Sequence, residues 1–292
     1  MAAGTAYAND QATFQEAEQH LASGDYRLAF DRYSYLVNRY PESAFVPTAQ
    51  FRLGQVNFYL GKYSEALARL ERVAVRYVEF QDRVHFWLGL TNYRLGEYAA
   101  AVESFNRAAA ADDEDGTAFL YRGLSHRHLD EIPEAIEDLE RAWEFGNSQE
   151  AAYAIAYLLE LYVRTDAHEA AVALWEETED SLPSGDGFQS MRVRFAADAA
   201  YSADRLELAT DLYRRLTNFS LADAHWAFAR LYRIAQAQEE SDRALEVFRE
   251  AERRLGSEPE RLADFWLDLG IDSFRREQFE LSIVYLQRLW DI

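Results

Sequence analysis

The chain has 292 residues with 30 basic against 51 acidic side chains, a formal net charge of −21. That balance argues against nucleic acid and against an anionic membrane surface as partners, because both need a basic face. Hydrophobic residues make up 49% and aromatics 14%, enough for a packed core, while 5 prolines and 13 glycines favour helices and the absence of cysteine removes disulfides and thiol chemistry.

In chain order, residues 1–9 read as a flexible tail, and Asn9 and Asp10 are placed to cap a helix starting near Gln11. The opening MAAGTAYAND has neither the charged nor the apolar region of a signal peptide. The first helix runs to about Ser23, and Gly24-Asp25-Tyr26 turns the chain. A second helix carries Ala29, Tyr33 and Leu36 on one face before Tyr40-Pro41 stops it.

The next stretch, Phe51 to Leu70, reads as two short helices folded back on each other around Gly61. It recurs along the chain. The residues five beyond each turn are Ala29, Ala66, Ala101, Ala135, Ala171, Ala209, Ala244 and Ser282, at steps of 37, 35, 34, 36, 38, 35 and 38. Four residues further on stand Tyr33, Leu70, Phe105, Leu139, Trp175, Tyr213, Phe248 and Leu286, all large. Twelve before the alanines stand Ala17, Gly54, Gly89, Gly123, Leu159, Ala197, Tyr232 and Gly270, mostly small. A step in the mid-thirties is a helical-hairpin period. Two antiparallel helices need small residues where their axes approach and bulky ones beside them, which justifies mid-helix glycines that otherwise cost about 1 kcal/mol each.

Those residues resemble the tetratricopeptide repeat family. Leu53-Gly54, Gly61, Tyr63, Ala66 and Leu70 carry its signature in the second repeat. Leu88-Gly89, Gly96, Tyr98, Ala101, Phe105 and Ala108 carry it in the third, and Trp266, Leu269-Gly270 and Phe279 in the eighth. The likeness spans about residues 10 to 292 and is weaker in repeats five to seven, where Leu159 and Tyr232 replace the small residue and tilted stacking is expected. It implies an all-α, right-handed α-solenoid of about eight helix–turn–helix repeats: repeats one to five over 10–181, an inter-repeat loop at 182–187, and repeats six to eight over 188–292, in one continuous solenoid. All five prolines fall at helix boundaries of this scheme. The chain stops with Leu286, Leu289 and Trp290 on the last helix, which the scheme leaves as a bare apolar face, for self-association or for continuation of the solenoid.

No catalytic constellation is evident, so no enzyme activity, cofactor or metal is expected. The histidines are His20, His85, His126, His128, His168 and His225; His126 and His128, two apart on a helix, diverge by about 200° and cannot share one metal. The run Asp112 to Asp115 lacks the alternating spacing of a calcium loop and reads as solvated charge, as do Glu176-Glu177 with Glu179-Asp180, and Glu239-Glu240 with Asp242. No apolar run approaches the ~20 residues of a membrane span.

The resemblance places the first helix of each repeat on the concave face. Counted from the aligned glycines, the partner groove holds Phe51, Gln55 and Tyr59, with Thr48 and Phe58 beside them. In the third repeat it holds Arg83, Phe86, Leu90 and Arg94 with Tyr93, and in the fourth Leu124, Arg127 and His128 with Leu120. Arginines with aromatics are enriched at interface hot spots. The carboxylate clamp of one member type is absent: Phe51, Phe86 and Leu120 stand where a cation is needed, and Gln55, Leu90 and Leu124 where asparagine is. The function implied is a scaffold binding a protein or peptide partner, as an amphipathic helix or extended segment. The alternatives are a small-molecule or lipid-binding solenoid and a structural spacer that oligomerises through its last repeat. Tyr33, Leu36, Tyr40-Pro41-Glu42-Ser43 and Phe51-x-Leu53-Gly54 also resemble repeats of bacterial cell-envelope assembly proteins, including periplasmic partners of outer-membrane assembly and of the Tol–Pal system. That likeness implies a periplasmic or envelope location over a cytoplasmic one.

Overall fold

A computed structural model of the protein describes residues 2–77, 81–109, 115–183, 185 and 187–290. Among these there are sixteen α-helices and no strand. The chain divides into two compact units, Met1–Ala154 and Ile155–Ile292.

The first unit holds α1 (Ala2–Ala22), α2 (Tyr26–Arg39), α3 (Val46–Tyr59), α4 (Tyr63–Arg76), α5 (Gln81–Leu95), α6 (Tyr98–Ala109), α7 (Gly116–His128) and α8 (Ile132–Phe145). Each helix packs on the next, so four hairpins stack into a solenoid. The division between the units falls inside α9 (Ser148–Arg164). The second unit continues with α10 (His168–Thr178), α11 (Gln189–Ser202), α12 (Leu206–Leu216), α13 (Leu221–Ala237), α14 (Ser241–Leu255), α15 (Pro259–Arg275) and α16 (Phe279–Gln287).

One turn builds all eight hairpins. The residue five before each aligned Ala or Ser adopts a left-handed backbone: Gly24, Gly61, Gly96, Asp130, Asp166, Asp204, Glu239 and Glu277, with φ between 57° and 80°. In each, that residue's N–H donates to the carbonyl three back, and the next N–H to the carbonyl five before it. In the second hairpin these bonds are Gly61 to Phe58 at 2.9 Å and Lys62 to Asn57 at 2.9 Å. This is the paired cap that ends a helix on a left-handed residue, and its fixed length sets the register of the following helix.

The core shows why the spacing recurs. A Cβ added to Gly54 would lie 2.6 Å from Leu70 Cδ2, one on Gly89 2.6 Å from Phe105 Cε1, and one on Gly270 2.6 Å from Leu286 Cδ2. The bulky residue of the second helix therefore lies directly over the glycine of the first. Where alanine replaces glycine the following residue is acidic and the bulky residue is tyrosine: Tyr33 donates to Glu18, and Tyr213 to Asp198 at 3.0 Å. An arginine from the next hairpin meets the same carboxylate, Arg52 on Glu18 at 2.9 Å and Arg230 on Asp198 at 3.9 Å.

Two expectations change. Helix α1 begins at Ala2, so residues 2–9 are helical rather than a flexible tail, and Asn9 and Asp10 lie inside the helix rather than capping one from Gln11. The Ala-rich start has the propensity to carry the helix back across them. The prolines do sit at boundaries, with Pro47, Pro133 and Pro259 in first turns, where a missing N–H costs nothing. The expected tilt appears at Tyr232: α15 packs on α13 in preference to α14, because the Tyr232 ring meets Phe248 at 5.9 Å and Tyr285 at 6.2 Å where six of the eight repeats hold Gly or Ala. Leu159 by contrast is fully buried.

Candidate functional site

The left-handed turns of the first unit place aromatic residues at one end of its hairpins. Tyr26, Tyr63 and Tyr98 each follow the left-handed glycine by two, while Phe58, Tyr59 and Tyr93 precede it by two or three. The rings then touch from hairpin to hairpin. Tyr26 stacks on Tyr59 at 4.7 Å; Tyr59 meets Trp87 edge-on at 5.5 Å; Phe58 meets Trp87 at 5.4 Å and Tyr63 at 5.3 Å. Further on, Tyr93 meets Tyr98 at 5.7 Å and Tyr121 at 5.2 Å, and Tyr98 stacks on His128 at 4.1 Å. Such contacts contribute about 0.5–1.5 kcal/mol beyond area burial and hold the rings rigid. Burial first, then the neighbouring Tyr26, raises the Tyr59 hydroxyl above its usual range, so it stays a neutral donor.

The groove drawn from helical positions is only partly open. Phe51 is fully buried, and Gln55, Leu90 and Leu124 are buried too. The Phe51 ring lies under the Arg83 guanidinium at 5.2 Å, and the Gln55 carbonyl accepts from Arg52 Nη1 at 2.9 Å. Those four side chains are spent on packing within and between hairpins, which the position of a residue on a single helix does not reveal. Phe86 is half-buried against Trp87 and Phe105, and Arg127 is half-buried. Tyr59, 46% exposed, remains on the surface with Arg83, Arg94 and His128. The structure adds Tyr26, Trp87 and Tyr98. Their signal in the sequence was the recurring Gly-x-Tyr at the first three turns and the large ring two before Gly89.

The bare C-terminal face is also redrawn. Leu286 is half-buried because it covers Gly270 inside its own hairpin, and Leu289 is half-buried; Trp290 alone of the three is open, at 89%. The exposed apolar stripe is instead Leu267, Ile271 and Phe274 on α15, with Ile283 and Val284 on α16.

The remaining candidates are structural. His126 Nδ1 bonds Glu131 at 2.6 Å while His128 stacks on Tyr98, so the two rings diverge as their spacing requires. Asp115 caps α7 by accepting from Ala118 N–H at 3.1 Å; Asp112 to Glu114 lie outside the described residues, as do Ser184 and Asp186 of the 182–187 loop. Glu176 pairs with Arg205 at 2.8 Å. In the second unit the tilt at Tyr232 opens a cleft of about 580 Å³, lined by Tyr232, Leu245, Phe248, Leu281, Val284 and Tyr285 among others. At its base the Tyr232 and Tyr285 hydroxyls lie 2.5 Å apart, and Gln236 donates to Tyr232 at 3.0 Å.

The tetratricopeptide repeat family model matches residues 51–116 and 93–152. No curated protein matches the chain. Among solved structures, the C-terminal part of a repeat-containing protein from Cytophaga hutchinsonii is similar at 14% identity and a TM-score of 0.71, over 85% of this chain and 98% of that one. A tetratricopeptide repeat protein from Parabacteroides merdae is similar at 17% identity and a TM-score of 0.56, over 96% and 99%. MamA from residue 41 onward, from Desulfovibrio magneticus, is similar at 17% identity and a TM-score of 0.52, over 59% and 93%. At these identities the likeness is one of fold.

Proposed function

We propose that this chain, whose residues 51–152 match the tetratricopeptide repeat family model and whose fold is an all-α solenoid of a kind that mediates protein–protein interaction, is a non-catalytic scaffold that holds a peptide segment or partner domain on the ring row of its first unit. The observation that carries this is the exposed edge of Tyr59, backed by Tyr26 and Trp87 and followed by Tyr98 and His128, with Arg94 in the last turn of α5 at the same end of the hairpins. Preordered rings cost little entropy on binding, and arginines beside them favour a segment with apolar and acidic side chains. A pull-down with wild type and with Tyr59→Ala/Arg94→Ala tests it. Both residues are exposed, so the variant keeps its helical signal, and loss of the retained partner by more than about 2 kcal/mol is expected. Equal retention by both proteins refutes the site.

The spacing of Tyr33, Leu36 and Tyr40-Pro41-Glu42-Ser43 supports a place in a bacterial cell envelope; fractionation that finds the protein only in the cytoplasm would rule it out. The cleft at Tyr232 favours the second reading, small-molecule binding, because about 580 Å³ with apolar walls and a paired-hydroxyl base falls in the size range of ligand sites. A neutral fluorescent naphthylamine whose binding is blocked by Leu245→Trp would support that reading.

A further inference from the structure

The described residues of a chain carrying 51 carboxylates leave three neighbouring arginines without one. Arg69, Arg72 and Arg76 lie three and four apart on one face of α4, and none makes an ion pair among the described residues. Arg69 Nη1 donates to Gln50 Oε1 at 3.1 Å and Arg72 Nε to the Ala68 carbonyl at 2.9 Å, while Arg76 leans over the Tyr77 ring at 5.3 Å. All three line a small cavity of about 110 Å³ with Gln50, Val73 and Tyr77.

Arg69 Nε is shut off from solvent and has no hydrogen-bond partner. A buried donor left unmade costs about 1–3 kcal/mol, so Arg69 is held here at a cost that no neighbouring counter-charge offsets. Burial and then the Arg72 charge hold the Arg69 guanidinium below its usual range, the mark of a cation with no counter-charge beside it. The negative end of the helix dipole accounts for Arg76 in the last turn of α4, but that influence fades within one turn and does not reach Arg69.

We propose that this cavity is an oxyanion site for a phosphate group. Guanidinium forks match phosphate oxygens in pairs. A phosphate with a charge of about −1.5 to −2 and three acceptor oxygens offsets three cations better than a single carboxylate. The acidic surroundings disfavour a polyanion, and the volume admits one such group. The site lies near the last turn of α4, away from the turn-end ring row, and stands independently of it.

The test is titration of the full chain with inorganic phosphate, phenyl phosphate and acetate at constant ionic strength, followed by calorimetry. Saturable 1:1 phosphate binding, at least tenfold tighter than acetate, is expected. Arg69→Gln and the exposed Arg72→Gln should each weaken it at least tenfold, while Arg107→Gln, on α6, leaves it unchanged. Phenyl phosphate binding tighter than phosphate identifies a phosphoryl group carried on an organic molecule, through the Tyr77 ring; equal binding identifies the free anion. No saturable phosphate binding, acetate binding as tightly, or equal weakening by Arg107→Gln would overturn the proposal. If Arg69→Gln fails to fold, Arg72→Gln decides the outcome alone.

Discussion

Glu239 and Glu277 hold left-handed backbone conformations, φ 60° and 63°, at turn positions where the first three hairpins use glycine. Replacing both by glycine changes no hydrogen bond, because the capping donors are backbone N–H groups: Glu239 to Gln236 at 3.1 Å and Glu277 to Phe274 at 3.0 Å. Both side chains are exposed, and neither pairs with a cation among the described residues. A left-handed L-residue costs about 1–2 kcal/mol, and glycine returns about 0.5–1 kcal/mol of that through the freedom it has when unfolded. The net gain is about 0.5–1 kcal/mol per site. The two turns are separate, so the gains should add to about 1–2 kcal/mol in the double variant. Urea denaturation followed by helical circular dichroism reads this as a higher midpoint at unchanged slope for the second unit's transition. Glu277→Ala is the control: it removes the carboxylate and keeps the strain, so its midpoint should stay near wild type. A Glu277→Gly midpoint at or below wild type, or an alanine variant that gains as much as glycine, would refute the backbone account.

Two further outcomes follow from the core. Gly89→Val puts a branched side chain where even a Cβ would lie 2.6 Å from the Phe105 ring, so overpacking should destabilise the first unit by about 1–3 kcal/mol, seen as a lower urea midpoint. Burial raises the Asp198 carboxyl above its ordinary value, outweighing Arg230, the Tyr213 hydrogen bond, Arg194 and His168. A carboxyl raised on folding gives a stability contribution that is full below the unfolded value and lost as pH rises through the folded one. The stability of wild type relative to Asp198→Asn should therefore fall between acid and neutral pH, and a difference independent of pH would contradict the raised carboxyl.

The hairpins were legible in the sequence because their determinants are local. A left-handed cap, five residues to a small side chain and four more to a large one repeat whatever surrounds them, so Gly54, Ala66 and Leu70 could be paired before any coordinates. The tilt near Tyr232 was legible for the same reason, as a large ring where the pattern demands a small one. The open surface was not. Phe51 and Tyr59 sit eight residues apart on one helix, yet Phe51 is sealed under Arg83 from the next hairpin while Tyr59 is 46% exposed. Leu286 likewise looked terminal and proved internal.

The sequence by itself thus determined the secondary structure, the repeat register and the glycine-to-bulky pairing, since each depends on residues within one hairpin. Only the tertiary structure decided which aromatic rings join into a row, which groove positions close, and where Arg69 Nε is left without an acceptor. The first two depend on contacts between hairpins, set by neighbours some 35 residues away along the chain, and the third on how the two helices of one hairpin close around Gln50 and Arg69.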